Sequence, residues 1–225
     1  MVRIKTIMLF VMALLPSMLC MGKEKESPDT ISARRAFMEM PVSGDLDLLS
    51  KDTRFNMLAY YDNDSIYHAP NNLKGLSYLE KVTDNFLAVR ITDESSLQIK
   101  ILKLKNGNDI VMTIHTVGKE GEVMDSNIKF YNTRFVELHT DKYFKAPKVS
   151  DFFQTKGFKT SMKEIEEILP FYAVCYQADA ANDYLTGRLT IEDAVTEEDQ
   201  KILELMMKPS VTFEWKGNGF KELKN

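Results

Sequence analysis

Three histidines, His68, His115 and His139, are all the imidazole the chain has for acid–base or metal chemistry. His115 and His139 fall on strand faces opposite the main apolar residues, so neighbouring strands would bring two metal-ligating rings together. No cysteine or carboxylate stands at ligand spacing from either, and surface or edge histidines are the expected reading; no metal site is assigned. Cys175 sits between Val174 and Tyr176 in a strand-like run, the usual setting of a buried, inert thiol. The acid pairs Glu166-Glu167 and Glu197-Glu198 read as solvated helix surface. No Gly-x-Ser-x-Gly elbow occurs, and Asp125-Ser126 opens a strand instead of a strand–helix turn. Gly217-x-Gly219 is a hairpin turn without the lysine continuation of a phosphate loop. No catalytic residue and no cofactor are therefore expected.

Residues 141–163 offer one sharper pattern. Six lysines (142, 145, 148, 156, 159 and 163) are interleaved there with Tyr143, Phe144, Phe152, Phe153 and Phe158. Lys145, Lys148, Lys156, Phe152 and Phe153 are the candidate ligand-binding residues, for lipid headgroups or an acidic glycan with aromatic anchors. The competing reading is a solvated connection whose phenylalanines pack under a sheet. It is favoured, because the segment has no sustained interfacial helix pattern.

Arg3 and Lys5 precede an apolar run, Ile7 to Leu15, that Pro16 interrupts. This is the layout of a secretory signal peptide, and the run falls short of the roughly 20 residues of a membrane-spanning helix. Cleavage is expected before Lys23, after Cys20-Met21-Gly22. A lipid-modified Cys20 is the minority reading, since Leu19 stands where a small residue is wanted. Loss of residues 1–22 removes two basic residues and no acid, so the net charge of −4 becomes −6. A mildly acidic chain lacks the basic footprint of a nucleic-acid binder, and no nucleic-acid partner is expected. With Cys175 alone remaining, no internal disulfide can form, and the apolar core must carry the stability.

The elements that would position these residues centre on an antiparallel meander from Asn85 to Thr140. Before it, a disordered leader at 23–30 is followed by a helix at 31–40 capped by Thr30. A second helix follows with Asp52 as N-cap and Phe55, Leu58 and Ala59 facing inward. Leu97, Ile99 and Ile101 alternate, then the pattern slips at Leu102 and Leu104, which predicts a β-bulge at Ile101-Leu102. Asn106-Gly107 is a two-residue hairpin turn. One apolar face per strand predicts a sheet covered on one side, with the helices at 31–61 as cover. Beyond it a short helix, strands at 171–177 and 184–191, the helix Glu197–Met207 capped at Thr196, and a strand through Trp215 are expected. The expected organisation is signal peptide 1–22, leader 23–30, helices plus meander 31–145, and a smaller part at 146–225 that could share the same domain.

Met40-Pro41 ahead of a helix pair, Arg54 with Tyr60-Tyr61, Asn72-Leu-Lys-Gly75 and the hairpin at Asn106-Gly107 form a diffuse signature. Asp125-Ser126 with Phe130-Tyr131, Pro147 with Asp151-Phe-Phe153, and Trp215 near Gly219-Phe220 continue it. Over residues 31 to 221 the chain thereby resembles a family of exported Bacteroidales proteins of unknown function. That family has an acid after the Arg54-Phe55 pair, where this chain has Asn56. The resemblance implies a Gram-negative anaerobe and an envelope destination, and it brings no catalytic role. In that setting Asp29-Thr30-Ile31 and Asp64-Ser65-Ile66 match a tripeptide used for O-glycosylation, at Thr30 and Ser65, although helix capping competes at Thr30.

The expected molecule is an α+β protein, periplasmic or secreted, with an antiparallel meander under N-terminal helices and a smaller αββαβ C-terminal part. Its expected role is a non-catalytic module binding an envelope partner or small ligand, with no transmembrane segment after cleavage. A hydrolase with a loop-assembled site and a carrier of an apolar ligand are the competing classes. An enzyme should show convergent acids in a polar pocket, a carrier an apolar cavity.

Overall fold

The computed structural model describes residues 29–41, 46–119, 123–169, 171–191 and 196–224. The expected signal peptide, Cys20 and most of the leader lie outside the described residues, as does the middle of the turn predicted at 118–121. The first helix, α1 (Ala33–Glu39), starts later than expected because Ser32, not Thr30, caps it; the Ser32 hydroxyl accepts from Arg35 N. The chain before it is tied down in extended form, with Ile31 N donating to Asp109 Oδ2 at 3.0 Å. Helix α2 (Lys51–Tyr61) is likewise capped by Ser50, leaving Asp52 in the first turn, where a negative charge complements the helix dipole. Its buried face is Arg54, Met57 and Leu58, while Phe55 is 62% exposed and Ala59 half-buried. Hydrophobicity alone pointed Phe55 inward. The helix is instead rotated so that Arg54 Nη1 donates to Phe37 O (2.6 Å) and Met40 O (2.9 Å), carbonyls at the C-terminal end of α1 that have no helical partner.

Seven strands follow in simple meander order, each antiparallel to the next. They are β1 (Ala69–Pro70), β2 (Leu76–Val82), β3 (Phe86–Thr92), β4 (Ser95–Lys103), β5 (Asp109–Val117), β6 (Asp125–Asn132) and β7 (Glu137–Leu138). The predicted bulge at Ile101-Leu102 is absent: β4 and β5 keep one register from Ser95↔Val117 to Lys103↔Asp109. Ile101 and Leu102 are both buried because the sheet is covered on both faces, not one. Leu87, Val89, Leu97, Ile99, Ile101 and Val111 pack against α1 and α2. Phe86, Ala88, Leu102, Ile110, Met112 and Ile114 face the C-terminal part. Alternation between apolar and polar residues is lost where both faces are buried, and the lost alternation mimicked a slip. The register does shift elsewhere, between Leu79 and Lys81 on β2 and between Arg90 and Thr92 on β3. The turn at Asn106-Gly107 is longer than two residues. Leu104 N bonds Asn108 O and Gly107 sits at φ 89°, giving the three-residue hairpin that favours glycine at its last position.

The C-terminal part contains α3 (Met162–Ile168), β8 (Ala173–Ala178), β9 (Tyr184–Thr190), α4 (Glu197–Met206), β10 (Val211–Trp215) and β11 (Phe220–Glu222). The four strands form a second antiparallel sheet in the order β11-β10-β9-β8, one strand more than expected. Strand β8 starts at Ala173, and Phe171, read as part of it, is 77% exposed. The edge strand β8 stands on the first sheet. Its outward amides at Tyr176 and Ala178 donate to Ser126 Oγ (3.0 Å) and Gln98 Oε1 (2.9 Å), side chains of β6 and β4. Phe144 meets Tyr176 and Phe213 edge-to-face between the sheets, in one apolar cluster drawn from both parts of the chain. Gly187 on β9 lies against the Tyr176 ring, where a Cβ would come within 2.9 Å of Cε1.

Candidate functional site

Because the second sheet stands over only part of the first, an open cleft of about 1000 Å³ is left between them. Its floor is the uncovered face of β2 to β4, from Glu80, Lys81, Phe86 and Ala88 to Ser96 and Gln98. The register shift on β2 matters here. Consecutive strand residues point to opposite faces, yet Glu80 and Lys81 both line the cleft, as a bulge allows. The wall carries Gln177 from β8 with Thr186 and Arg188 from β9, and Pro209-Ser210 close one end. The lip is the β8–β9 loop, including Asp179, Ala180 and Ala181.

Lys100 holds that lip in place. Only 1% exposed, it rises from β4, and its Nζ donates to Asp179 O (3.0 Å) and Asn182 O (2.9 Å), with Asp183 Oδ1 at 3.5 Å. Burial holds its ammonium below the ordinary lysine range, although Asp183 and Asp179 pull the other way. Asp179 in turn accepts from Asn182 N and Ala181 N, bonds that hold its carboxyl below the usual range. Glu80 is paired with Arg90 at 2.9 Å. Both cleft acids are therefore engaged. By contrast, Lys81 and Arg188 form no ion pair, and the side chains of Ser96, Gln177, Thr186 and Ser210 have no hydrogen-bond partner, among the described residues. Among the described residues the lining contains no imidazole and no thiol. Chemically, the cleft can hydrogen-bond and neutralise, and its described residues place no nucleophile beside a base.

The family model matched by residues 28–220 is described as "Protein of unknown function (DUF3256)". The chain belongs to that family. Its fold is similar to the solved structure of a domain of an uncharacterized protein from Porphyromonas gingivalis W83. That likeness has a TM-score of 0.72 at 20% identity, covering 85% of this chain and 98% of the other. No curated protein matches the chain.

In this family member the residues singled out from sequence do not converge. Phe152 and Phe153 are buried in the core shared by the sheets, whereas Lys145, Lys148 and Lys156 point to solvent. These lysines and phenylalanines thus part company, although Lys142 lies over the Tyr143 ring at 5.2 Å and Phe158 is exposed. His115 lies opposite Leu97 and Asn127 on β5, His139 follows β7, and β6 runs between those strands. His68 packs its ring on Tyr78 at 4.9 Å. No group of three or more His, Cys, Asp or Glu side chains is placed to hold a metal ion among the described residues. Cys175 is buried within β8. Thr30 and Ser65 are both exposed, and Ser65 follows Asp64 (φ 53°) in the turn that ends α2. No described helix is long and apolar enough to cross a membrane.

Sequence reasoning missed the cleft residues because they come from six separate stretches of chain. One signal was present: Ser96, Gln98 and Lys100 alternate with Leu97, Ile99 and Ile101, a polar stripe on the very strand whose apolar face was recognised.

Proposed function

We propose that this protein is an exported envelope or periplasmic module that binds a polar ligand or partner in the cleft between its sheets without transforming it. The observation that carries the reading is the convergence of unpartnered Ser96, Gln177, Thr186 and Ser210 around an open cleft whose own acids are engaged. Hydrogen-bonding groups on a rigid scaffold favour recognition of hydroxyls and amides, and a polar lining suits such a ligand better than an apolar cargo. Export rests on Arg3, Lys5 and the Ile7–Leu15 run of the sequence. On an exported chain, Ser65 within Asp64-Ser65-Ile66 is the open position for an O-linked glycan, with Thr30 as the second.

Native mass spectrometry of the protein purified from the periplasmic fraction of its own cell tests all of these. The intact mass should begin at Lys23, any glycan should add to it, and a co-purifying small mass should leave on gentle activation. A chain retaining residues 1–22 in the cytosol, or one with no bound species under any isolation condition, contradicts the reading.

A further inference from the structure

The charges in the cleft say more about the ligand than its shape does. Four charged side chains line it among the described residues, two of each sign. Glu80 is neutralised by Arg90, and Asp179 is folded into its own turn and faces Lys100. Lys81 and Arg188 have no such partners among the described residues. The charge still available to a ligand is therefore positive, on opposite sides of the cleft: Lys81 on the floor strand β2 and Arg188 on the wall strand β9. The bulge that turns Lys81 toward the cleft, next to Glu80, puts one of these cations where regular strand geometry would not.

The neutral groups narrow the class further. A peptide bound as an added strand needs a free sheet edge. On the wall of the cleft, the edge strand β8 already donates its outward amides at Tyr176 and Ala178 to Ser126 and Gln98. What remains is side-chain chemistry: the amides of Gln98 and Gln177 and the hydroxyls of Ser96, Thr186 and Ser210, among small alanines. Amides and hydroxyls that both donate and accept are suited to an array of sugar hydroxyls. Building on the binding role proposed above, we infer that the cleft takes an acidic oligosaccharide, one bearing carboxylate or sulfate groups. Lys81 and Arg188 meet its charges, and Gln177, Thr186 and Ser96 meet its hydroxyls. A guanidinium presents a planar donor pair to a carboxylate or sulfate, while the Lys81 ammonium acts as a point charge.

Isothermal titration calorimetry on the whole mature chain tests this with four probes: tetragalacturonate, a sulfated chondroitin tetrasaccharide, neutral cellotetraose and a glutamate-rich octapeptide. One of the acidic tetrasaccharides should bind, and added salt should weaken it. The double variant Lys81→Gln/Arg188→Gln should weaken that binding by about tenfold, with any cellotetraose affinity unchanged. Thr186→Trp, which fills the cleft from its outer wall, should abolish it. Equal affinity for cellotetraose, tightest binding of the acidic peptide, indifference to the double variant, or no binding of any probe would each overturn the inference. Binding of cellotetraose that Thr186→Trp abolishes would leave the cleft as a binding site and remove only its acidic ligand. Binding that survives Thr186→Trp would remove both.

Discussion

Among the described residues, Lys100 and Arg54 are the two large charged side chains fully withdrawn from water, and each is bonded to backbone carbonyls. Both guanidinium and ammonium are pushed below their ordinary ranges by burial. For Lys100 the sign of the linkage follows directly. Its folded pKa lies below the unfolded value, so the unfolded chain binds more protons between the two, and stability contributed at this position rises with pH across that window. Relative to Lys100→Met, the wild type should therefore gain in urea midpoint as the pH rises toward the ordinary lysine pKa of about 10.4. Amide exchange in the loop 179–183 should also speed up in Lys100→Met, because its anchor is gone. A wild-type advantage that shrinks with rising pH contradicts this account. Among the described residues Arg54 has no acidic partner, and its Nε and Nη2 lack hydrogen-bond partners. Arg54→Ala should cost about 2–4 kcal/mol by opening a cavity and stranding the Phe37 and Met40 carbonyls. Arg54→Met should cost less than about half as much, since it refills the volume and removes an unpaired buried charge. Denaturant midpoints at constant slope measure both.

At the scale of elements, the decisive feature is how β8 ends the second sheet. An exposed edge strand invites pairing with another chain, and here side chains of the first sheet occupy the edge. Ser126 accepts from Tyr176 N and also pairs with Thr116 Oγ1 at 2.8 Å. Ser126→Ala should therefore cost about 1–3 kcal/mol, the penalty of a buried amide left without a partner. A loss near zero would mean that water reaches the edge. This joint could not be read from the sequence. Asp125-Ser126 and Gln98 are ordinary strand residues there, and their partners lie 50 and 80 positions away. The hairpins were legible, because Asn106-Gly107 and Gly217-Asn218-Gly219 carry their turn chemistry locally. The helices were legible as helices; Thr196 caps α4 as expected, while the caps of α1 and α2 were misplaced by two residues each. Thr30 and Asp52 are good capping residues, yet Ser32 and Ser50 stand where the tertiary contacts let the chain turn.

At the scale of the molecule, the meander, its helical cover and the α+β class were legible because each rests on short-range periodicity. The second cover was not. Leu102, Ile110 and Met112 signal burial, and nothing in their spacing says that Phe144, Phe152 and Phe153 would be what buries them. For the lysine-aromatic segment, the favoured sequence reading is a solvated connection with its phenylalanines under a sheet, and Phe152 and Phe153 are buried in that way while Phe158 stays exposed. The shared apolar cluster predicts a single cooperative transition. Trp215, the only tryptophan, reports from the second sheet while donating its indole N–H to Lys103 O in the first at 2.7 Å. Its fluorescence and far-ultraviolet circular dichroism should unfold with one midpoint, whereas two midpoints would mark separable units.

The proposed recognition takes place in the cleft between the sheets, away from the lysine-aromatic segment. Hydrogen–deuterium exchange of the mature protein, with and without the species it co-purifies with, tests this most directly. Bound ligand should slow exchange at 80–82, 96–98, 177–188 and 209–210 and leave 145–158 unchanged. Protection confined to 145–158, or protection at none of the cleft strands, would contradict it.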